Sequence, residues 1–292
     1  INATTCMEYE PTTANRFITA CGSQSTLNTG GVRDYCPIGA SGGTIAFSTT
    51  ITSYQTLIPL SATIKGLYVK LSTSPGSGKN YEFSLYKNGA QEASSVFTIA
   101  DSATTGSATG LSIAVSAGDL ISISSLSAGT PTASNPFWSV EFQPTTDGQF
   151  FMSNEQAANL FLVTNYGTVS GLVNAASTTS GIGQDQVMGA TRKLTLSNFR
   201  AELTSAPTLG NGWTFRMRVN SSNANQTFSI TDTSTTGTDS SNTDIIVDKD
   251  ILEVSIDPTG TPVDTKVRYS MIAVLEDISD VSSFLPILGV GR

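Results

Sequence analysis

Apolar and polar residues alternate in short runs along most of the chain, and one set of these runs occurs twice. Thr63-Ile-Lys-Gly-Leu-Tyr-Val-Lys-Leu71 lies over Thr195-Leu-Ser-Asn-Phe-Arg-Ala-Glu-Leu203 with its alternation in the same register. At the same spacing Tyr81, Phe83, Leu85 and Asn88 fall on Trp213, Phe215, Met217 and Asn220. One residue is then lost. After it, Phe97 and Ile99 meet Phe228 and Ile230, Gly118-Asp119-Leu120 meets Lys249-Asp250-Ile251, and Trp138-Ser139 meets Tyr269-Ser270. A register held over about 80 residues is the signature of a tandem duplication.

Within the first copy, residues 45–47, 56–58, 64–71, 81–86, 96–99, 111–115, 120–123 and 137–142 read as short strands, several of them half-buried by their alternation. Turn chemistry separates them: Pro75-Gly-Ser-Gly78, Lys87-Asn-Gly89, Ala117-Gly-Asp119 and Gly129-Thr-Pro131. Asn-Gly supplies the positive φ angles of a tight hairpin. About eight short strands at such spacing predict a sandwich or barrel, and eight is the number in a jelly roll. The expected fold class is therefore all-β, with two tandem jelly-roll-like antiparallel β-sandwich domains related by internal duplication.

The expected boundaries follow. Residues 1–43, rich in Gly and Pro and matching neither copy, form an irregular N-terminal arm. Residues 44–146 form the first sandwich. Residues 147–277 form the second, with an insertion near 154–183 in which 155–163 carry a weak helical pattern. Residues 278–292 form an apolar C-terminal tail.

Composition narrows the setting. Charged residues are 13% of the chain, against about 25% in typical globular proteins, so Ser, Thr, Asn and Gly supply the polar surface. The net charge is −8, with no histidine. A polyanion finds no basic patch here, so neither nucleic acid nor an anionic membrane is an expected partner. No apolar run reaches the roughly 18 residues of a membrane span. The chain opens on Ile1 rather than Met, which fits removal of a leader and an extracellular, secreted location.

Lack of histidine removes Ser-His and Cys-His nucleophile pairs and the histidine-based metal sites. No Walker loop and no dinucleotide-binding glycine motif is present. No enzyme activity and no cofactor are expected. Cys6, Cys21 and Cys36 stand at even fifteen-residue steps. Two of them could form a disulfide in an exported protein; three reduced buried thiols are the alternative. Asp232, Asp239, Asp244, Asp248 and Asp250 form the densest acidic region. Calcium would need more than loop carboxylates at this spacing, and solvated turns are the expected reading. Trp138 and Trp213 are exchanged for Tyr269 and Tyr81 between the copies, as core fillers would be, rather than serving as sugar-stacking platforms. Asn2, Asn220 and Asn225 head N-x-[ST] sequences and are candidate glycosylation sites.

The run from Leu67 through Tyr86-Lys-Asn-Gly89 and Ala117-Gly-Asp-Leu120 to Trp138-Ser-Val140 resembles the jelly-roll modules of viral and phage capsid, fibre and decoration proteins. Similar modules occur in exported bacterial proteins, including subunits of extracellular fibrils. The resemblance covers about two thirds of the chain and implies a fold rather than an activity. It points first to a self-assembling, glycosylated fibril protomer whose partners are copies of itself, joined head to tail through terminal segments or strand exchange. A capsid or decoration protein is the alternative, and a carbohydrate-binding adhesive module the second. Phe17 and Ile18 in the arm, and Phe284, Leu285, Ile287, Leu288 and Val290 in the tail, are the candidate assembly residues.

Overall fold

The computed structural model describes residues 15–23, 25–39, 41–42, 47–156, 158–173, 177–180, 185–186, 193–247 and 249–275. They fall into two compact units that divide between Thr145 and Thr146. Each unit is a two-sheet antiparallel sandwich, as the alternation predicts.

The strands of the first unit are β1 (Phe17–Ser23), β2 (Asp34–Pro37), β3 (Ser41–Gly42), β4 (Thr56–Leu57), β5 (Ala62–Leu71), β6 (Gly76–Lys87), β7 (Ala90–Gln91), β8 (Phe97–Asp101), β9 (Thr105–Val115), β10 (Leu120–Ala128) and β11 (Pro136–Pro144). One sheet has the order β3-β1-β11-β5-β9. The other runs β2-β10-β6-β7, with β4 beside β10 and β8 beside β6. The principal strands pair as one long hairpin folded over on itself. β1 pairs with β11, β2 with β10, β5 with β9 and β6 with β8. Contacts of β11 with β5 and β10 with β6 close the roll. This nesting of outer on inner strand pairs is a jelly roll.

The second unit repeats it with β12 (Gln149–Gln156), β13 (Asn165–Gly167), β14 (Gly171–Val173), β15 (Asp185–Gln186), β16 (Leu194–Leu203), β17 (Thr208–Val219), β18 (Ser222–Asp232), β19 (Thr236–Asp239), β20 (Asp244–Ile246), β21 (Ile251–Thr259) and β22 (Val267–Leu275). Its sheets are β14-β12-β22-β16-β19, with β20 beside β16, and β13-β21-β17-β18, with β15 beside β21. Strand by strand the topology matches the first roll, except that β18 does the work of β7 and β8, and β9 is split into β19 and β20.

Two expected boundaries are corrected by this match. The stretch read as an N-terminal arm contains β1, β2 and β3, which are integral strands of the first roll. Phe17, Thr19, Cys21 and Ser23 point inward and are buried, while Ile18, Ala20 and Gly22 are half-buried on the outer face. The stretch read as an insertion near 154–183 holds the corresponding β13 and β14. Tyr35 and Ser48 exchange two backbone hydrogen bonds of 2.7 and 2.9 Å, and Tyr166 and Ser177 do the same. The weak helical pattern over 155–163 is also overturned, since Glu155 and Gln156 end β12 and a loop follows. The expected strand at 45–47 falls mostly outside the described residues.

Core filling follows the inward positions. Tyr81, Phe83, Val140 and Phe142 are buried in the first roll, and Trp213, Phe215, Phe199 and Tyr269 in the second. Trp138 and Trp213 are both core residues, as their exchange with tyrosine implies. One turn is also built identically in both copies. Asn88 and Asn220 hold φ of 51° and 50°, in the left-handed region that asparagine tolerates. Each donates its side-chain amide over 2.7 Å to the aspartate of the next hairpin, Asp119 or Asp250. Each also accepts the backbone N–H of the following strand, Leu120 or Ile251.

Candidate assembly surface

Three loops meet at one end of the second roll: residues 158–164 between β12 and β13, 204–207 between β16 and β17, and 260–266 between β21 and β22. Backbone hydrogen bonds stitch them together. Leu160 N–H donates to the Thr265 carbonyl (2.9 Å), Thr204 N–H to Lys266 (3.0 Å) and Val263 N–H to Pro207 (3.4 Å). The Asn165 side chain clamps the first loop. Its Oδ1 accepts the Phe161 N–H at 2.8 Å, and its Nδ2 donates to the carbonyls of Phe161 (2.8 Å) and Val163 (2.7 Å).

The tip at the start of β17 is fixed by positive φ at Thr208 (80°) and Gly210 (79°). Gly210 N–H is held by Asp232 (2.8 Å), and Asn211 Oδ1 accepts Thr261 N–H (2.8 Å). The tip so built thrusts Leu209 outward, 83% exposed. Around it stand Leu162 and Val163 (52% each), Phe161 (45%) and Val263 (39%). These are five large apolar side chains on one end of a sandwich.

The first roll shows that the fold does not need them. It uses the same stitches: Leu27 N–H to Ser134, Thr132 N–H to Pro75, and Gly78 N–H to Asp101. Yet its matching loop, two residues longer (28–33 against 161–164), exposes one large apolar side chain, Val32 (48%), in place of Phe161, Leu162 and Val163. Ser77 stands for Leu209, and Thr132 for Val263. The fold is thus completed in the first roll with fewer exposed apolar side chains at this end.

A second divergence lies beneath the same loop of the first roll. Asp34 occupies the Asn165 position, at the floor of an open groove of about 680 Å³ lined by Leu27, Asn28, Phe47 and Tyr54 among others. Burial pushes its carboxyl above the ordinary range, against the opposing pull of the Asn28 N–H. The counterpart Asn165 donates to carbonyls, which a carboxylate does only when protonated. A pKa raised by folding contributes stability in acid that is lost as pH rises through the folded value. Asp34→Asn is therefore expected to stabilise the first roll at pH 7 and to flatten its pH dependence. Thermal melts at pH 4 and pH 7 check this, and an unchanged pH dependence contradicts it.

The other sequence candidates are placed as follows. Cys21 lies on β1 and Cys36 on β2, in different sheets of the first roll, and both are buried. Cys21 Sγ donates to the Ile38 carbonyl at 3.1 Å. Phe17, read as an assembly residue, is instead used inside its own roll, stacked on Phe142 at 5.1 Å. Ile18 is half-buried opposite Glu141. Asn220 is exposed but carries the turn described above, and Asn225 is exposed on β18, donating its amide to the Thr243 carbonyl at 3.1 Å. Cys6, Asn2, Asp248, Phe284, Leu285, Ile287, Leu288 and Val290 lie outside the described residues.

Of the acidic region, Asp250 is a turn residue, but Asp239 and Asp244 are buried rather than solvated. Desolvation would raise the Asp239 carboxyl. Donation from the Asn242 amide and from the N–H groups of Thr227, Asn242 and Ser241 outweighs it and holds the group below its usual value. Asp244 likewise accepts from the N–H groups of Asn225 and Gln226. These carboxylates pin β18 to the split strand. Among the described residues no cluster of three acidic, Cys or His side chains could hold a metal ion.

No known protein family matches the chain, and no curated protein matches it. Solved structures similar to it include the insecticidal delta-endotoxin Cry8Ea1 from Bacillus thuringiensis, at 10% identity and a TM-score of 0.26 over 87% of this chain. The chain spans 60% of the length of that toxin. PNGase F, a glycosylasparaginase from Flavobacterium meningosepticum, is similar at 8% identity and a TM-score of 0.23, over 98% of this chain and 96% of its own. A structure of infectious bursal disease virus, Gt strain, is similar at 9% identity and a TM-score of 0.20, over 100% of this chain and 80% of its own. At these scores the likenesses carry nothing about function.

Proposed function

We propose that the chain is a structural subunit, without catalytic activity, that joins copies of itself head to tail into an extracellular fibril. The observation that carries this reading is the apolar loop end of the second roll, with five exposed large apolar side chains where its twin has Val32. A surface present on one copy of a duplication and absent from the other is suited to a contact between unlike faces, and such contacts propagate.

Charge favours protein over lipid as the occupant. Residues 158–164, 204–211 and 260–266 contain one Lys, Lys266, and no Arg, whereas loops that dock on anionic membranes carry a basic rim. Residues 146–275 hold eight basic and twelve acidic side chains, a net of −4, which opposes approach to such a surface. Asn225, exposed on the outer strand of its sheet, is the glycan site this reading favours.

Electron microscopy of the full chain as isolated, without refolding, tests the proposal. Long unbranched fibres of regular repeat are expected. Dispersed monomers at high concentration would overturn self-assembly. Closed particles would overturn the fibril form and assign the subunit to a shell.

A further inference from the structure

The two rolls differ on a second surface, the outer face of the sheet that holds their first and last strands. In the second roll these outward positions are charged and covered: Glu155 (5% exposed) lies opposite Arg268 (6%), and Arg268 opposite the half-buried Glu202. At the same positions the first roll has Gly22 opposite Phe137 and Phe137 opposite Lys70. Phe137 is 50% exposed and lies flat on the sheet, since a Cβ on Gly22 would come within 2.6 Å of its ring. One register step away, the exposed Tyr68 lies over Gly66 in the same manner, its ring 2.8 Å from where a Cβ would stand. Aromatic rings laid over glycines make a low platform with an apolar floor, and the exposed Lys70 stands beside it.

The two divergences are complementary. One roll has gained apolar protrusions at its end, and the other an apolar platform on its side. The protrusions belong to a body of net −4 and include the exposed Asp264. The platform belongs to residues 15–145, where six basic and six acidic side chains cancel. Contact between two second rolls would bring like charges together, while contact of a second roll with a first brings Asp264 toward lysine.

Resting on the assembly reading, we infer that the loop end of the second roll, led by Leu209 and Leu162, seats on the Phe137–Tyr68–Lys70 platform of the first roll of another copy. Each subunit then presents one knob and one seat, a heterologous contact between unlike surfaces.

Complementation between full-length variants tests this. Leu209→Asp destroys the knob and leaves the seat; Phe137→Asp destroys the seat and leaves the knob. Each alone is expected to associate at least about thirtyfold more weakly, as loss of a central contact does, and to sediment as a monomer. Mixed in equal amounts they are expected to form heterodimers and nothing longer, because only one productive pair of surfaces remains. Lys70→Glu, which opposes Asp264 without touching the Gly22 contact, repeats the test if Phe137→Asp folds poorly. If the seat variants polymerise normally while Leu209→Asp does not, the platform is wrong and the assembly reading stands. An equal mixture that stays monomeric also overturns the pairing. A wild-type chain that never associates overturns the assembly reading itself.

Discussion

Phe199→Ala is expected to destabilise the second jelly roll by about 3–5 kcal/mol, the usual loss for a fully buried phenylalanine. Phe199 stands on β16 inside a register shift between Ser197 and Arg200, and it is the side chain on which the two sheets meet. Its ring lies edge-on to Phe228 at 5.0 Å and to Phe215 at 6.5 Å in the facing sheet, and to Tyr269 at 6.2 Å in its own. Its backbone N–H is bound by the buried Gln226 (3.1 Å). Truncation would leave a hole among aromatic rings held by both strands of a closed roll, where collapse is hindered. The chain has two tryptophans, Trp138 in the first roll and Trp213 in the second. Urea unfolding followed by Trp213 fluorescence in a Trp138→Phe background therefore reports the second roll alone. A loss below about 1 kcal/mol would contradict the assignment of Phe199 as the centre of this core.

The double variant Leu162→Asp, Leu209→Asp is expected to abolish association while leaving the fold intact. Both side chains are exposed, and the polar Ser77 occupies the Leu209 position of the first roll, so the change in stability should stay within about 0.5 kcal/mol. Within an assembled contact, two carboxylates would be taken from water with Lys266 as the one cation among the loops that surround them. A central apolar contact is worth about 2 kcal/mol or more when lost, and two of them carry association out of the accessible concentration range. Light scattering against concentration, paired with a thermal melt, separates the two effects. Normal association with normal stability would remove these loops from the interface.

The duplication was legible in the sequence wherever inward-facing side chains must alternate. From Thr63 to Phe142 and from Thr195 to Ala273 both copies fill the same core, so apolar residues substitute for one another and the register survives. It was not legible over β1–β3 and β12–β14. There the strands are as short as two residues, and the copies bury different chemistry: Cys21 against Asn154, Asp34 against Asn165. The shared marks are isolated, such as Tyr35 and Ser48 against Tyr166 and Ser177, and too sparse to set a register.

The loop end was half legible. Pro75-Gly-Ser-Gly78 falls on Pro207-Thr-Leu-Gly210 within the shared register, and the leucine among turn residues is the visible signal. Phe161, Leu162 and Val163 were masked because their spacing from Glu155 mimics a helical face. The Asn165 clamp, four residues after Phe161, holds the loop in a non-helical turn through local side-chain to backbone hydrogen bonds that compete with the helical pattern. Phe17 misled in the opposite sense, since an apolar residue outside the repeated register resembled an exposed arm but completes the core of its own roll.

Sedimentation velocity of the full chain over a wide concentration range, beside the Leu162→Asp, Leu209→Asp variant, tests the central claim most directly. The account predicts a wild-type sedimentation coefficient that climbs with concentration without reaching a plateau, as an open head-to-tail polymer requires, and a variant fixed at the monomer value. A wild-type chain that remains monomeric throughout, or a variant that polymerises alongside it, would contradict the account.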